Sequence, residues 1–241
     1  MKKDLDDHAV SIFKALVAGI PLVGGPVSSL LGDYMPNRTL ETVQRSLEYL
    51  CYRTEVLEGR IDSDAFKDTV KKDEFSELFK SCYLVTVRSH KREKLEAAMN
   101  IVANTLLGED DQERLTFTEA DHFSRGLEII SLGSIHILRA IYDVVDQRLI
   151  GGLSSTGVVN AEKERLVAFQ DLQETIEGLY YDSLLMGLLR DLDSLNFVNL
   201  VGGAVHNEKE DYSGQIIELT VLGSRFVATV LNPDNTAQLT L

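Results

Sequence analysis

Residues 15–32 read ALVAGIPLVGGPVSSLLG, 18 positions without a charge, interrupted by Pro21 and by Gly24-Gly25-Pro26. No other feature limits the possible folds so sharply. A straight transmembrane helix takes about 20 apolar residues, and an internal proline removes a helix hydrogen bond and clashes with the preceding turn. The segment therefore predicts two short helical pieces joined by a tight glycine turn. Before the turn, Leu5, Ala9, Ile12, Phe13, Leu16 and Val17 fall at helical spacing, with Lys3, Asp6, Asp7 and Lys14 elsewhere on the wheel. After it, Pro26 suits the first turn of a second piece bearing Val27, Leu30 and Leu31. Such a hairpin has two destinations. It packs on the protein's own body, or it enters a bilayer or an oligomer interface where partner helices satisfy the freed backbone groups. In either case the candidate interaction residues are Ile12, Phe13, Leu16, Ile20, Leu22, Val23 and Val27. Residues 1–33 hold three Lys and four Asp, a balance that does not draw anionic lipid electrostatically.

The 241 residues as a whole are ordinary in composition, 44% hydrophobic and 26% charged, which argues against wholesale disorder and a multi-spanning membrane protein. A chain of this length makes one large domain or two modest ones. Acidic residues outnumber basic ones 38 to 24, a net charge of -14, which disfavours a sequence-independent grip on nucleic acid. Cys51 and Cys82 are the two cysteines, and no secretory pattern precedes them, so they are read as reduced, buried, cytosolic thiols. The expected location is cytoplasmic, or peripheral at the inner membrane.

From residue 37 to about 150 the apolar period is helical throughout, with no strand-like alternation. Asn37 caps a helix carrying Leu40, Val43, Leu47, Leu50, Cys51 and Leu57, which Gly59 ends. A short piece from Ser63 or Asp64 to Val70 leads to a helix starting at Asp73 with Phe75, Leu78, Phe79, Cys82 and Val85 inward. Residues 91–107 continue helical through Leu95, Ala98, Met99, Val102 and Leu106, and Gly108 closes them. Thr116 and Glu119 have capping-box spacing, and the helix they open is expected to run to about Asp146. The basic concentration Arg88, His90, Lys91, Arg92 and Lys94 offers an anion contact at Arg88, Lys91, Arg92 and Lys94, or simply a solvated face diluted by Glu93 and Glu96. Asp121-His122 lacks the i,i+3 or i,i+4 geometry of a shared metal site, and His136 sits between Ile135 and Ile137 as a core or partly exposed side chain.

Gly151-Gly152-Leu153-Ser154-Ser155-Thr156-Gly157 reads as a connector; it lacks the Gly-Lys-Ser/Thr ending of a phosphate loop. A helix with Leu166, Phe169, Leu172, Ile176 and Leu179 follows, then one with Leu184, Leu185, Leu188, Leu189, Leu192 and Leu195. Next the period changes to that of strands at residues 197–201 and 215–220, joined by a hydrophilic loop, and Thr220 begins a last helix through Val230. LLRDLDSLNFV at 188–198, the hairpin, and IELTVLGSRFVATV at 217–230 together resemble a winged-helix module. That likeness implies a DNA-binding helix, yet residues 176–241 carry Arg190, Lys209 and Arg225 against nine carboxylates, and the leucine-rich helix offers Asp182, Asp191 and Asp193. A protein-contact or structural role is expected of it instead.

At the other end, Ile20-Pro21-Leu22-Val23-Gly24-Gly25-Pro26, Leu30-Leu31 and Pro36-Asn37-Arg38 resemble the start of a group of uncharacterised bacterial helical proteins. More distantly, a Gly/Pro-interrupted apolar helix ahead of a helical bundle looks like the HeLo-type membrane-active domains of immune and cell-death effectors. These likenesses imply a setting in bacterial antiviral defence or abortive infection and carry over no catalytic residues.

The expected fold class is mainly α: an apolar helical hairpin over residues 1–36, a helical bundle over 37–150, a linker over 151–160 and a winged-helix-like α+β module over 161–241. Nucleophile elbows, HExxH, paired CxxC, phosphate loops and dinucleotide fingerprints are all missing from the sequence, so no catalytic, cofactor or metal residues are assigned. The expected function is that of a non-catalytic interaction protein, membrane-associating or oligomerising, with protein partners or self-association. The alternative is a DNA-binding winged-helix regulator.

Overall fold

The computed structural model describes residues 37–61, 68–70, 72–89, 91–155, 165–202, 212 and 214–232. The expected apolar hairpin, with Ile12, Phe13, Leu16, Ile20, Leu22, Val23 and Val27, lies outside the described residues. The described chain is mainly helical with a small three-stranded antiparallel sheet, and it divides into two compact units, Met1–Glu128 and Ile129–Leu241.

The first unit is a helical bundle. Helix α1 (Asn37–Val56) ends in a 3-10 turn (Glu58–Arg60); α2 (Asp73–Ser89), α3 (Arg92–Asn104) and α4 (Phe117–Ile129) follow. Helix α3 packs against α1 and α2, which also pack on each other. Its sequence explains why it takes the centre. From Ala97 to Asn104 every residue is buried, and Ala97, Ala98 and Ala103 let neighbouring backbones approach on more than one side. On α2 the buried positions Phe75, Leu78, Phe79, Cys82 and Val85 repeat every three or four residues, one face of a helix. Thr116 and Glu119 form the capping box expected of them. The Thr116 amide donates to Glu119 Oε2 at 2.9 Å, and the Glu119 amide donates to Thr116 Oγ1 at 3.3 Å.

The expected single helix from Thr116 to about Asp146 is two. α4 stops at Ile129, and α5 (Leu132–Ser155) restarts with Ser131 Oγ accepting the Ser134 amide at 3.0 Å. The apolar period runs through the break at Leu127, Ile130, Ile135 and Leu138, all buried, which hides it from a periodicity argument. The start signal was a serine cap. α5 also continues through residues 151–155, the first part of the segment expected as a connector. Two glycines there cost a helix about 1 kcal/mol each relative to alanine, a penalty too small to end it by itself.

In the second unit α5 is followed by β1 (Leu166–Ala168), α6 (Phe169–Thr175), α7 (Asp182–Ser194), β2 (Val198–Val201), β3 (Ile216–Leu219) and α8 (Val221–Phe226), which passes into a π-helical turn (Val227–Leu231). Strand order is β1-β3-β2. Val167 pairs with Ile217, and Ile217 with Leu200, so these three share one face, of which Val167 and Ile217 are wholly buried. The expected β2–β3 hairpin is present, and β1 is an addition. Leu166, read as the start of a helix, is the first residue of that strand, and the helix begins only at Phe169. Leu179, assigned to the same helix, lies beyond its end and is exposed. Three residues are too few to show alternation, and β3 recruits them by pairing across about 50 residues of chain.

One close approach holds the end of this unit. A Cβ on Gly223 would lie 2.0 Å from the Phe197 carbonyl oxygen. Thr220 Oγ1 accepts the Gly223 amide at 2.9 Å and donates to the Asn196 carbonyl at 2.7 Å, while the Phe197 and Phe226 rings stack with centroids 4.5 Å apart. Glycine is the residue that permits all three contacts.

Candidate functional site

The basic run occupies the end of α2 and the start of α3. Arg88, in the last turn of α2, ion-pairs with the Glu128 carboxylate. Lys94 buries its aliphatic stem and donates from Nζ to the Glu128 backbone carbonyl at 3.3 Å. Burial pushes the Lys94 ammonium below the ordinary lysine range, and the Glu128 charge partly opposes that. Arg92 turns along its own helix to Glu96, Nε to Oε1 2.6 Å. Lys91, the residue before α3, is exposed. The structure thus gathers Arg88 and Lys94 on one residue, Glu128, and sends Arg92 to Glu96. Their charge is largely answered within the protein.

Neither thiol is built for nucleophilic work. Cys82 is buried, and burial followed by the Asp121 charge drives its pKa well above the ordinary thiol value. Cys51 is half-buried and is raised by burial, then by Glu55 and Glu48. Both environments disfavour the thiolate, the reactive form. Among the described residues no three or more His, Cys, Asp or Glu side chains group as metal ligands, and no helix is long and apolar enough to cross a membrane. Asp121 pairs with Arg125, 2.6 Å away, and His136 is exposed with its ring edge-on to Tyr180 at 6.4 Å.

The second unit presents the more informative surface, the outward face of α7. Leu185, Met186, Leu188, Leu189 and Leu192 face the core, and α7 packs on α5 and β2. Asp182, Ser183, Leu184, Arg190, Asp191 and Ser194 face solvent. Asp193 is half-buried and structural, its Oδ1 accepting the Leu200 amide at 3.1 Å and so seating β2 against the helix. The corner before α7 is equally defined. Glu177 and Gly178 take positive φ of 52° and 66°, the Gly178 amide donates to the Gln173 carbonyl at 3.0 Å, and the Gln173 side-chain amide meets Asp182. This corner holds Leu179 and Tyr181 in water.

Behind it, Arg148 on α5 ties the module together. It donates to the Leu166 carbonyl at 2.6 Å and to Asp171 Oδ2 at 2.9 Å. Arg139 does the same at the other end, donating to the Leu231 carbonyl at 2.8 Å. Close to Arg139, Asp143 is pushed upward by burial and then by Asp146, with Arg139 opposing.

Periodicity placed Leu184 and Leu179 on inner stripes and did not single out Tyr181. The signal that exposes them is the Glu177-Gly178 pair, which ends α6 early and throws the following residues outward. Compared with known proteins, the chain matches no family model, no characterised protein and no solved structure.

Proposed function

We propose that this chain is a non-catalytic interaction protein whose C-terminal unit is a winged-helix-like module used for protein contact. The order helix, strand, helix, helix, strand, strand over α5 to β3, with strands arranged β1-β3-β2, supports the winged-helix reading. In a module of that element order, α7 is the counterpart of the recognition helix.

The observation that carries the proposal is the chemistry of α7's outward face. A helix that reads DNA needs cationic or amide side chains there, to meet base edges and phosphates. α7 presents Asp182, Ser183, Leu184, Asp191 and Ser194, with Arg190 as its one cation. Two carboxylates beside a polyanion are repulsive, and the whole chain at -14 adds to that. On this reading the unit has the element order of a winged helix without the charge that DNA contact requires.

A mobility-shift titration of the full chain on random-sequence duplex DNA at low salt tests this. No shift at micromolar protein is expected. A tight shift that weakens steeply as salt rises would establish the DNA-binding regulator in its place.

The apolar segment of residues 1–36 extends the same proposal to a membrane or oligomer interface, on the strength of its uncharged run and the resemblance to membrane-active effector domains. Flotation of the full chain with neutral vesicles, compared with Ile20→Asp and Val23→Asp, separates the two. Vesicle-bound wild type and soluble variants support insertion; wild type that stays in the soluble fraction with every lipid mixture removes it.

A further inference from the structure

We propose that the corner between α6 and α7 docks a cationic amphipathic segment of another protein, a proposal that rests on reading the C-terminal unit as a protein-contact module. Leu179, Tyr181 and Leu184 are 60%, 70% and 38% exposed. Three large apolar side chains exposed within six residues of chain make an apolar stretch, whereas single exposed leucines need no explanation. Tyr181 is the N-cap of α7 and Leu184 its third residue, the Leu184 amide donating to the Tyr181 carbonyl at 3.0 Å, and N-cap and N3 side chains are neighbours at a helix start.

The stretch is also held in place. The Leu179 amide donates to the Ile176 carbonyl at 3.0 Å, the Leu185 amide donates to the Tyr181 carbonyl at 3.0 Å, and Tyr180 lies against His136. A fixed backbone lowers the ordering cost of binding, and an exposed tyrosine on a rigid corner is the type of side chain that dominates interface energies.

Charge selects the occupant. Residues 166–189 contain Asp171, Glu174, Glu177 and Asp182 and neither Lys nor Arg. Glu174, Glu177 and Asp182 are exposed around the apolar stretch. A second copy docked through the same corner would set these carboxylates against themselves, and phosphate-bearing lipid or nucleic acid would meet the same repulsion. A segment with a Leu- or aromatic-rich stripe flanked by Lys and Arg meets both features at once. The apolar stripe covers Leu179, Tyr181 and Leu184, and its cations face the acidic rim.

The test uses the full chain and two labelled probe peptides, a short amphipathic Leu/Lys helix and the same peptide with Glu at every Lys, followed by fluorescence anisotropy. The Leu/Lys peptide binds and the Leu/Glu peptide does not. Tyr181→Ser and Asp182→Lys each weaken binding about tenfold or more, whereas Glu77→Lys on the exposed face of α2 changes it less than about twofold. All three positions are exposed, and circular dichroism melts of Tyr181→Ser and Glu77→Lys stay close to wild type, while Asp182→Lys also gives up its contact with the Gln173 side chain. Binding that ignores Tyr181→Ser, or that Glu77→Lys reduces as much as Asp182→Lys does, overturns the site and shows attraction to net charge alone. Sedimentation tells a failure of this site from a failure of the protein-contact reading. A wild-type dimer that Tyr181→Ser dissociates overturns the cationic partner and preserves the protein-contact reading. A DNA complex that Arg190→Ala abolishes overturns both.

Discussion

Helices α3 and α7 have the same length, and each lies at the heart of its unit, yet one is enclosed and the other is half open. Beyond its charged first turns, which carry Arg92 and Glu93 in solvent, α3 has no exposed residue from Ala97 to Asn104, a stretch of alanine, asparagine, methionine and branched aliphatics. α7 buries one leucine-rich stripe and shows water Asp182, Leu184, Arg190 and Asp191. A stretch of helix buried on all sides serves only the core. A helix with one free face has surface to spend on recognition, and the chemistry of that face decides what it recognises. The contrast places the structural burden on α3 and the functional interest on α7.

Truncating one aliphatic side chain in each helix should give the largest difference between them. Ile101→Ala, at a site with no solvent exposure, should lower unfolding stability by about 4 kcal/mol in urea titrations, from lost transfer energy and the cavity left behind. Leu184→Ala, on the open face of α7, should change it by less than about 0.5 kcal/mol. Equal losses would show that α7's outer face is packed in solution.

The second-largest effect should come from Gly223→Ala. The added Cβ meets the Phe197 carbonyl 2.0 Å away, and backbone on both sides has to give. Overpacking of this kind costs about 3 kcal/mol. The thermal midpoint of the C-terminal unit should fall, and near-ultraviolet dichroism should report the loss of the Phe197–Phe226 stack. An unchanged midpoint would mean that α8 shifts freely and that the close approach is dispensable.

A smaller effect sharpens the account of the first unit. Arg60 grips Asp111 through two hydrogen bonds, 2.8 and 2.6 Å, and also meets Glu113 at 3.0 Å, pinning the turn after α1 to the loop before α4. The Arg60 hydrogen bonds hold the Asp111 carboxyl below the ordinary aspartate range, helped by the Glu113 amide and opposed by partial burial. Since the folded pKa is depressed, the stabilisation is complete above the unfolded value of about 3.9 and disappears as pH falls through the folded value. Arg60 keeps 39% of its side chain exposed, so solvent screens the pair and its contribution is about 1 kcal/mol. Asp111→Asn should therefore lower stability by about that amount at pH 7, and the difference from wild type should shrink below pH 4. A gap that persists unchanged in acid would assign the effect to packing.

Much of the helical layout was legible in the residues. The inward positions of α2 repeat at the helical period, the Thr116/Glu119 box makes both of its hydrogen bonds, and Thr220 caps α8 as its position suggested. The hairpin strands were readable because Asn199 and Glu218 are polar among apolar neighbours, and they meet across the hairpin at 3.0 Å. The α4–α5 break was legible in principle, at Ser131, but an uninterrupted apolar period outweighed a single cap. Of the candidate site, the acidic character of α7 was plain, whereas the exposure of Leu179 and Tyr181 was not.

Local signals settled what was local: helix period, caps and the sign of the charge on α7. Tertiary structure alone decided that residues 166–168 form a strand, because a three-residue segment has no conformational preference strong enough to act without β3 beside it. It also decided which cations of the 88–94 run answer to Glu128, since pairing across about 40 residues depends on where the helices come to rest. Sequence carries preferences whose range is a turn or two; the partner of each strand and charge is chosen by packing, which no short window contains.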